Sequence, residues 1–274
     1  MSAPPPGGDP EPGANAAPGR DPERIAAMFD RIMPHYDLMN RLMTVGLDRR
    51  WRTAAAVAAA PPPGAPLLDA CCGTGDLSLA LARAYPGSAV TGLDFSDAML
   101  GCARAKGART GVSVEFVHGD LLALPFADAS FGAVTVGWGV RNVADLERAF
   151  AEMVRVAAPG ARVVCLEATT PTGALGRRFH ALWMARVVPA LGALVTGEAE
   201  AYAYLPASVR SFPSAERLAA VMRAAGLADV RYRLFGLGAM ALHVGRVPSS
   251  GAAPAASGEA PSSGGAPSSG AAPS

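Results

Sequence analysis

Asp69 stands four residues before the turn Gly73-Thr74-Gly75, and Asp94 follows nineteen residues after it. The residues between read as a buried strand into Asp69, a tight turn, a helix from about Asp76 to Tyr85, and a second strand over 88–93 ending on Asp94. Glycine at such a turn lets backbone pass close to a ligand where a side chain would collide. An acid at the place of Asp94 can accept hydrogen bonds from both hydroxyls of a ribose. A dinucleotide site wants a third glycine and a helix start free to receive pyrophosphate. Here the third position is Ser78, and Asp76 sets a negative charge in the first helical turn. Phosphate is repelled, which disfavours a nucleotide-dependent dehydrogenase. S-adenosylmethionine has the ribose without the phosphate, and its sulfonium and ammonium suit Asp69 and Asp76.

The elements that must position these groups alternate along the chain. Ser96 is an N-cap for a helix with Asp97 in its first turn. VSVEFVHGD reads as a third strand terminating at Asp120, and Phe131–Val136 as a fourth running into Gly137-Trp138-Gly139. DLERAFAEMVRVAAPG follows as an amphipathic helix closed by Pro159-Gly160, then ARVVCLEA as a fifth strand. Strands and helices in alternation imply a parallel, doubly wound sheet, whose ligand crevice lies beyond the carboxyl ends of its strands. Asp69, Asp94, Asp120 and Gly137 all stand at such ends. By reach, Asp69 and the Gly73–Gly75 turn face the amino-acid part of the cofactor and Asp94 the ribose. Asp120 and the Leu121 backbone face the adenine amino edge, with Phe95 packing on the ring.

Residues 21–59 read as helices broken at Pro34 and near Gly46, with Ile25, Met28, Phe29 and Ile32 at helical spacing. From 168 to 212 the alternation fails, and an apolar stretch with Arg177, Arg178 and Arg186 on its edges predicts two short helices lining a greasy pocket or touching a membrane surface. A capped helix from Ser214 and a terminal hairpin complete one domain over 21–247. Residues 1–20 and 248–274 are Pro-, Gly-, Ser- and Ala-rich tails too poor in apolar surface to offset the entropy of ordering them. No apolar run reaches the ~18 residues of a spanning helix. The N-terminus lacks a basic-then-apolar leader, which predicts a cytoplasmic chain. Cys71, Cys72, Cys102 and Cys165 have neither CxxC spacing nor a neighbouring histidine, so no metal site is expected. A net charge of +1 argues against broad nucleic-acid binding.

Six segments carry a resemblance. FDRIMPHYDLMNRLMTVGLDRRWR, LDACCGTGDLSLALA, GLDFSDAML, GDLLALPFADASFGAVTVGWGVRNV, AYAYLPASVRSFPSAERLAAVMRAAGL and ALHVG resemble the ubiquinone/menaquinone biosynthesis C-methyltransferases over roughly residues 22–247. The FDxxxxxYDxxN and GxRNV pieces are the specific ones. The resemblance implies a class I S-adenosylmethionine-dependent methyltransferase fold: a doubly wound, mostly parallel seven-stranded sheet with N-terminal helices and a helical insertion after strand five. It implies methylation of a ring carbon of a polyprenylated quinol such as demethylmenaquinol, at the inner face of the cytoplasmic membrane, with cofactor contacts on Thr74, Asp94, Asp120 and Leu121. Cys71 departs from a glycine of the broad pattern, and Gly137 stands where many relatives have a serine that touches the cofactor, leaving only its backbone to contribute.

A quinol carbon becomes nucleophilic as the neighbouring hydroxyl loses its proton. Arg141, always cationic, can hold the developing oxyanion. In similar proteins this arginine positions a water that takes the proton, with Asn142 and Tyr36 nearby. The competing reading of Arg141 is an ion pair to Asp145. His35 and His180 are the alternative bases, whereas His118 and His243, in strands, read as structural. A benzoquinol, another small apolar substrate and a silent binding subunit stay open, as does pairing into a homodimer.

Overall fold

The computed structural model describes residues 31, 33–196 and 206–249. The predicted 1–20 tail, the apolar positions Ile25, Met28, Phe29 and Ile32, nearly all of the 248–274 tail and the 197–205 part of the insertion lie outside the described residues. Seven strands form one sheet in the order β3-β2-β1-β4-β5-β7-β6. Strands β1 (Leu67–Ala70), β2 (Val90–Asp94), β3 (Glu115–His118), β4 (Phe131–Gly137) and β5 (Ala157–Ala168) pair in parallel. β7 (Met240–Arg246) enters antiparallel between β5 and β6 (Ala228–Phe235), so the predicted terminal hairpin closes the edge.

Every residue of β1 is buried, as a central parallel strand covered on both faces requires. Alternate side chains go to opposite cores. Leu68 and Ala70 pack with Phe150 and Met153 of α5 (Leu146–Val156) and with Leu218 and Met222 of α8 (Ala215–Ala224). Leu67 packs the other way, against Ala55 and Ala59 of α2 (Asp48–Ala59) and Leu77 and Leu81 of α3 (Asp76–Ala84). α4 (Asp97–Thr110) is capped by Ser96, whose hydroxyl accepts from the Met99 amide; Ser214 does the same for α8. The register sets Asp69 of β1 between Gly92 and Thr135.

Three boundaries differ from expectation. The helix before β5 ends at Val156, and Pro159-Gly160 lie inside the strand as a bulge between the Phe131/Ala157 and Ala133/Arg162 pairs. Proline is tolerated there because a bulge needs no ladder donor, and Gly160 takes φ +81°. β3 stops at His118, leaving Asp120 in a short bridge with Ala123. Residues 174–196 of the insertion form one helical run: α6 (Ala174–Leu182), a π-helical segment Trp183–Val187 and α7 (Val188–Thr196). Pro189 cannot donate, and its ring would clash with the Ala185 carbonyl in regular α geometry; widening to a π turn relieves this. Ahead of the sheet, α1 (Tyr36–Met43) and α2 are separated at Gly46, which takes φ +74°.

Candidate active site

At the carboxyl ends of β1, β2 and β4 a cavity of about 200 Å³ is bordered by Asp69, Gly73, Thr74, Asp94, Phe95, Asp120, Leu121 and Gly137, so all the expected cofactor residues except Gly75 meet at one place. The reasons for the two glycines differ. Gly73 has φ +54° and nothing within 4 Å of where a side chain would start, so it leaves clearance at the cavity wall. Gly75 has φ +81°, and a Cβ there would come within 3.0 Å of both Ala103 and Phe116; it serves packing against α4 and β3.

Asp94 holds the turn. Its Oδ2 accepts from the Gly73 amide at 2.7 Å and its Oδ1 from the Ser96 amide at 3.0 Å, while burial raises its pKa. Asp69 works from behind: its carboxylate accepts from Ser78 Oγ at 2.6 Å and Thr135 Oγ1 at 3.1 Å. Ser78, the missing third glycine, is thus the donor that satisfies a buried acid. The Thr74 hydroxyl is engaged by α1, donating to Asp37 Oδ1 at 2.7 Å and accepting from Lys106 Nζ at 3.1 Å. Asp120 Oδ1 accepts from the Leu122 amide at 2.8 Å, shaping the segment that carries the buried Leu121. Gly137 leaves room for Leu77, whose Cδ2 would lie 3.2 Å from an added Cβ. Cys71 takes φ +58°, which accounts for glycine in the broader pattern; its side chain fills the space over Gly139, where a Cβ would overlap it at 2.3 Å.

Burial raises the Asp69 pKa from 3.8 to about 7. Its ionised form is the one that attracts a cationic ligand, so cation affinity is present above that pKa and lost as pH falls through it. S-adenosylmethionine should bind about tenfold more weakly at about pH 5.5 than at about pH 8, a coupling of about 1.4 kcal/mol. Titration calorimetry on the Asp69→Asn variant should show a flatter profile; an unchanged slope would clear Asp69 of the effect.

A second cavity of about 280 Å³ adjoins the first, and Tyr36, Arg52 and Trp138 border both. Its wall is mostly apolar, with Trp51, Met43 and, from the insertion, Phe179, Trp183, Met184 and Val188. Trp138 follows β4 with φ +56°, and the Arg52 guanidinium lies 4.7 Å from its ring centroid. Arg52 is itself paired with Asp48 on the same helix.

Arg141 borders the second cavity and Asn142 the first. The predicted alternative partner of Arg141 is corrected: Asp145 caps α5, accepting from the Arg148 amide at 2.9 Å, and Arg141 Nη1 instead donates to Glu167 Oε1 at 2.9 Å. Only 6% of Arg141 and 1% of Glu167 is exposed, and Glu167 also accepts from the Arg141 amide. Arg141 Nη1 donates to the Trp138 carbonyl as well, so one carboxylate and one carbonyl orient the guanidinium. Sequence reasoning passed over Glu167, Arg52 and Trp138; the signal available was a lone carboxylate inside the apolar run ARVVCLEA. Of the histidines, His35 borders neither cavity and His180 lines the apolar one. Burial lowers the His180 pKa, and its Nε2 is buried with no hydrogen-bond partner among the described residues. His118 Nε2 lies 3.0 Å from the Phe95 carbonyl and His243 Nε2 2.8 Å from that of Ala215, in keeping with structural roles.

This arrangement has relatives. The cyclase SpnF matches the fold with a TM-score of 0.62 at 18% identity, covering 83% of this chain and 96% of that one. A SAM-dependent methyltransferase of Thermotoga maritima matches with a TM-score of 0.57 at 19% identity, over 81% of this chain and 99% of that one. By sequence, a demethylmenaquinone methyltransferase of Thermus thermophilus is 47% identical over 222 residues, covering 81% of this chain and all (100%) of that protein. A ubiquinone/menaquinone biosynthesis C-methyltransferase UbiE of Desulfotalea psychrophila is 42% identical over 221 residues, 81% of this chain and 89% of that one. The model of the ubiE/COQ5 methyltransferase family spans residues 19–247, the sheet and both cavities included. With kinship of that extent, the chain belongs to the ubiE/COQ5 methyltransferase family.

Proposed function

We propose that this chain methylates a ring carbon of a polyprenylated quinol, demethylmenaquinol to menaquinol, using S-adenosylmethionine. The observation that carries the reading is the pair of adjoining cavities, one acidic and glycine-lined, the other oily with an arginine in its wall. The first suits the cofactor: Asp94 presents acceptors for a ribose, Gly73 leaves clearance, and Asp76 at the start of α3 disfavours a phosphate. Thr74, Leu121 and Phe95 complete that wall. When bound, S-adenosylmethionine supplies an electrophilic methyl on a sulfonium.

The chain's own residues prepare the acceptor. Arg141, fixed by Glu167, stabilises the phenolate oxygen that appears as the quinol hydroxyl loses its proton. Tyr36, on the shared wall, and Asn142 orient the ring and a water that receives the proton. The imidazole of His180, kept neutral by burial, is a second acceptor facing the same apolar cavity. Trp183, Met184 and Val188 exclude bulk water, which strengthens the Arg141 charge.

Around the mouth of the oily cavity Val45, Phe179 and Leu237 are 74%, 52% and 65% exposed, and Leu175, Leu182 and Leu194 of the insertion are exposed too. Among the described residues no helix is long and apolar enough to cross a membrane. An apolar rim on a short helix suits shallow docking at a bilayer surface, from which a long-tailed quinol can enter. The double variant Phe179→Asp/Leu237→Asp should raise KM for a long-tailed quinol in vesicles about tenfold, the loss of two buried apolar contacts, and leave a short-tailed analogue unaffected. Equal KM values would remove the rim from substrate entry.

The proposal as a whole is tested by incubating the protein with methyl-labelled S-adenosylmethionine and either demethylmenaquinol or the demethylated benzoquinol precursor. Label in the naphthoquinol supports the reading. Label in the benzoquinol alone supports the ubiquinone branch, and label in neither overturns both.

A further inference from the structure

A third cavity, of about 540 Å³, lies outside the two just described, between the helix pair α1–α2 and the pair α3–α4. Six cations line it: Arg41, Arg49, Arg52, Arg83, Lys106 and Arg109. Three carboxylates, Asp37, Asp48 and Asp76, also line it, and each is already committed. Asp48 pairs with Arg52; Asp37 and Asp76 pair with Lys106, and Asp76 also lies 3.6 Å from Arg52. The acids therefore answer the two inner cations and leave the outer four. Arg41, Arg49, Arg83 and Arg109 are exposed, and their guanidiniums meet no acceptor among the described residues. Six cations against three carboxylates leave about three positive charges in one cleft of a chain whose formal total is +1.

Four like charges around a concave wall repel one another, and a low-dielectric cleft focuses their field outward. What relieves that cost is an anion with several oxygens, because each guanidinium offers a planar fork that matches phosphate geometry. The arginines come from four different helices, so one multivalent anion would bridge the substrate-side pair to the cofactor-side pair. We infer that this cleft is a binding site for a phosphate-bearing anion. The inference does not rest on the quinol reading.

Two sources carry that chemistry: a soluble polyphosphate and the headgroup of an anionic lipid. α1 bears Arg41 in the cleft and the exposed Leu38 and Leu42 beside it, so a headgroup could be held while the apolar side chains meet the bilayer. The coupling to the cofactor side is direct, because Lys106 bonds both Thr74 of the glycine turn and Asp37 of α1.

The test uses the full chain at low ionic strength, where screening is weak. Calorimetry with sodium pyrophosphate should show saturable binding at one site, weakened at least about tenfold by Arg83→Glu/Arg109→Glu and largely kept by Arg83→Lys/Arg109→Lys. Both positions are exposed and away from the reacting groups, so S-adenosylhomocysteine binding should stay as in the parent and report an intact fold. The single variant Arg83→Ala stands in if the double reversal fails to fold, with a smaller loss expected. Co-sedimentation with phosphatidylglycerol vesicles, against phosphatidylcholine, separates the sources. Loss of both pyrophosphate and vesicle binding in the reversal variant supports the site with a lipid headgroup as ligand. Loss of pyrophosphate alone supports it with a soluble anion. Absence of saturable pyrophosphate binding, or binding unchanged by charge reversal, overturns it.

Discussion

Arg141→Ala should slow methyl transfer by about 10²- to 10³-fold, the range for removing one donor to a developing oxyanion, while S-adenosylhomocysteine binds as in the parent. The two readouts separate because Arg141 borders the oily cavity and is absent from the lining of the glycine-lined cavity proposed for the cofactor. The same substitution strands Glu167, a buried carboxylate, without its cation. Breaking a buried pair from one side costs about 3–5 kcal/mol, so the melting temperature should fall and rates must be taken per folded molecule. The double variant Arg141→Ala/Glu167→Gln removes the stranded charge. It should recover most of the stability and none of the turnover. If the double variant regains turnover, the arginine serves only to neutralise Glu167. If Arg141→Ala alone turns over at the parental rate, it has no part in the chemistry.

The second large effect is on the cofactor. Asp94→Ala should weaken S-adenosylhomocysteine binding by about 100-fold or more. Hydrogen bonds to a charged acceptor are worth about 1.5–3 kcal/mol each. The carboxylate is proposed to meet the ribose, and it already holds the Gly73 and Ser96 amides. Asp94→Asn keeps one carbonyl acceptor and should lose less. Calorimetry decides it: binding by Asp94→Ala within a few-fold of the parent would place the adenosyl group elsewhere.

Much of the fold was open to reading because its elements are local. The apolar alternation of strands and helices, the caps at Ser96 and Ser214 and the break at Gly46 depend on residues within a turn or two of one another. Where the reading went astray, a neighbour far along the chain decided the outcome. Pro159-Gly160 was read as a helix stop, but pairing with Phe131 draws Ala157 into the sheet first. The insertion reads as two short helices, whereas residues 174–196 run on through a π turn, packed against α1.

The candidate site divides along the same line. Asp69, the Gly73–Gly75 turn, Asp94, Asp120 and Gly137 could be named from the chain alone, because strand ends in a parallel sheet meet at one edge and the acids announce their position by spacing. The partners of those groups could not. Glu167 reaches Arg141 across 26 residues, Asp37 reaches Thr74 across 37, and Thr135 reaches Asp69 across 66. A side-chain hydrogen bond of that span leaves no periodicity behind, since only the register of β1, β4 and β5 and the placement of α1 bring the two groups within 3.1 Å. The amino-acid order alone determined which edge of the sheet gathers these acids and glycines around one cavity. Tertiary structure alone decided that Arg141 is buried against Glu167 rather than paired with Asp145, and that Trp138 stands between two cavities. Sheet register and helix docking set those distances, and both are properties of the packed chain rather than of any stretch of it.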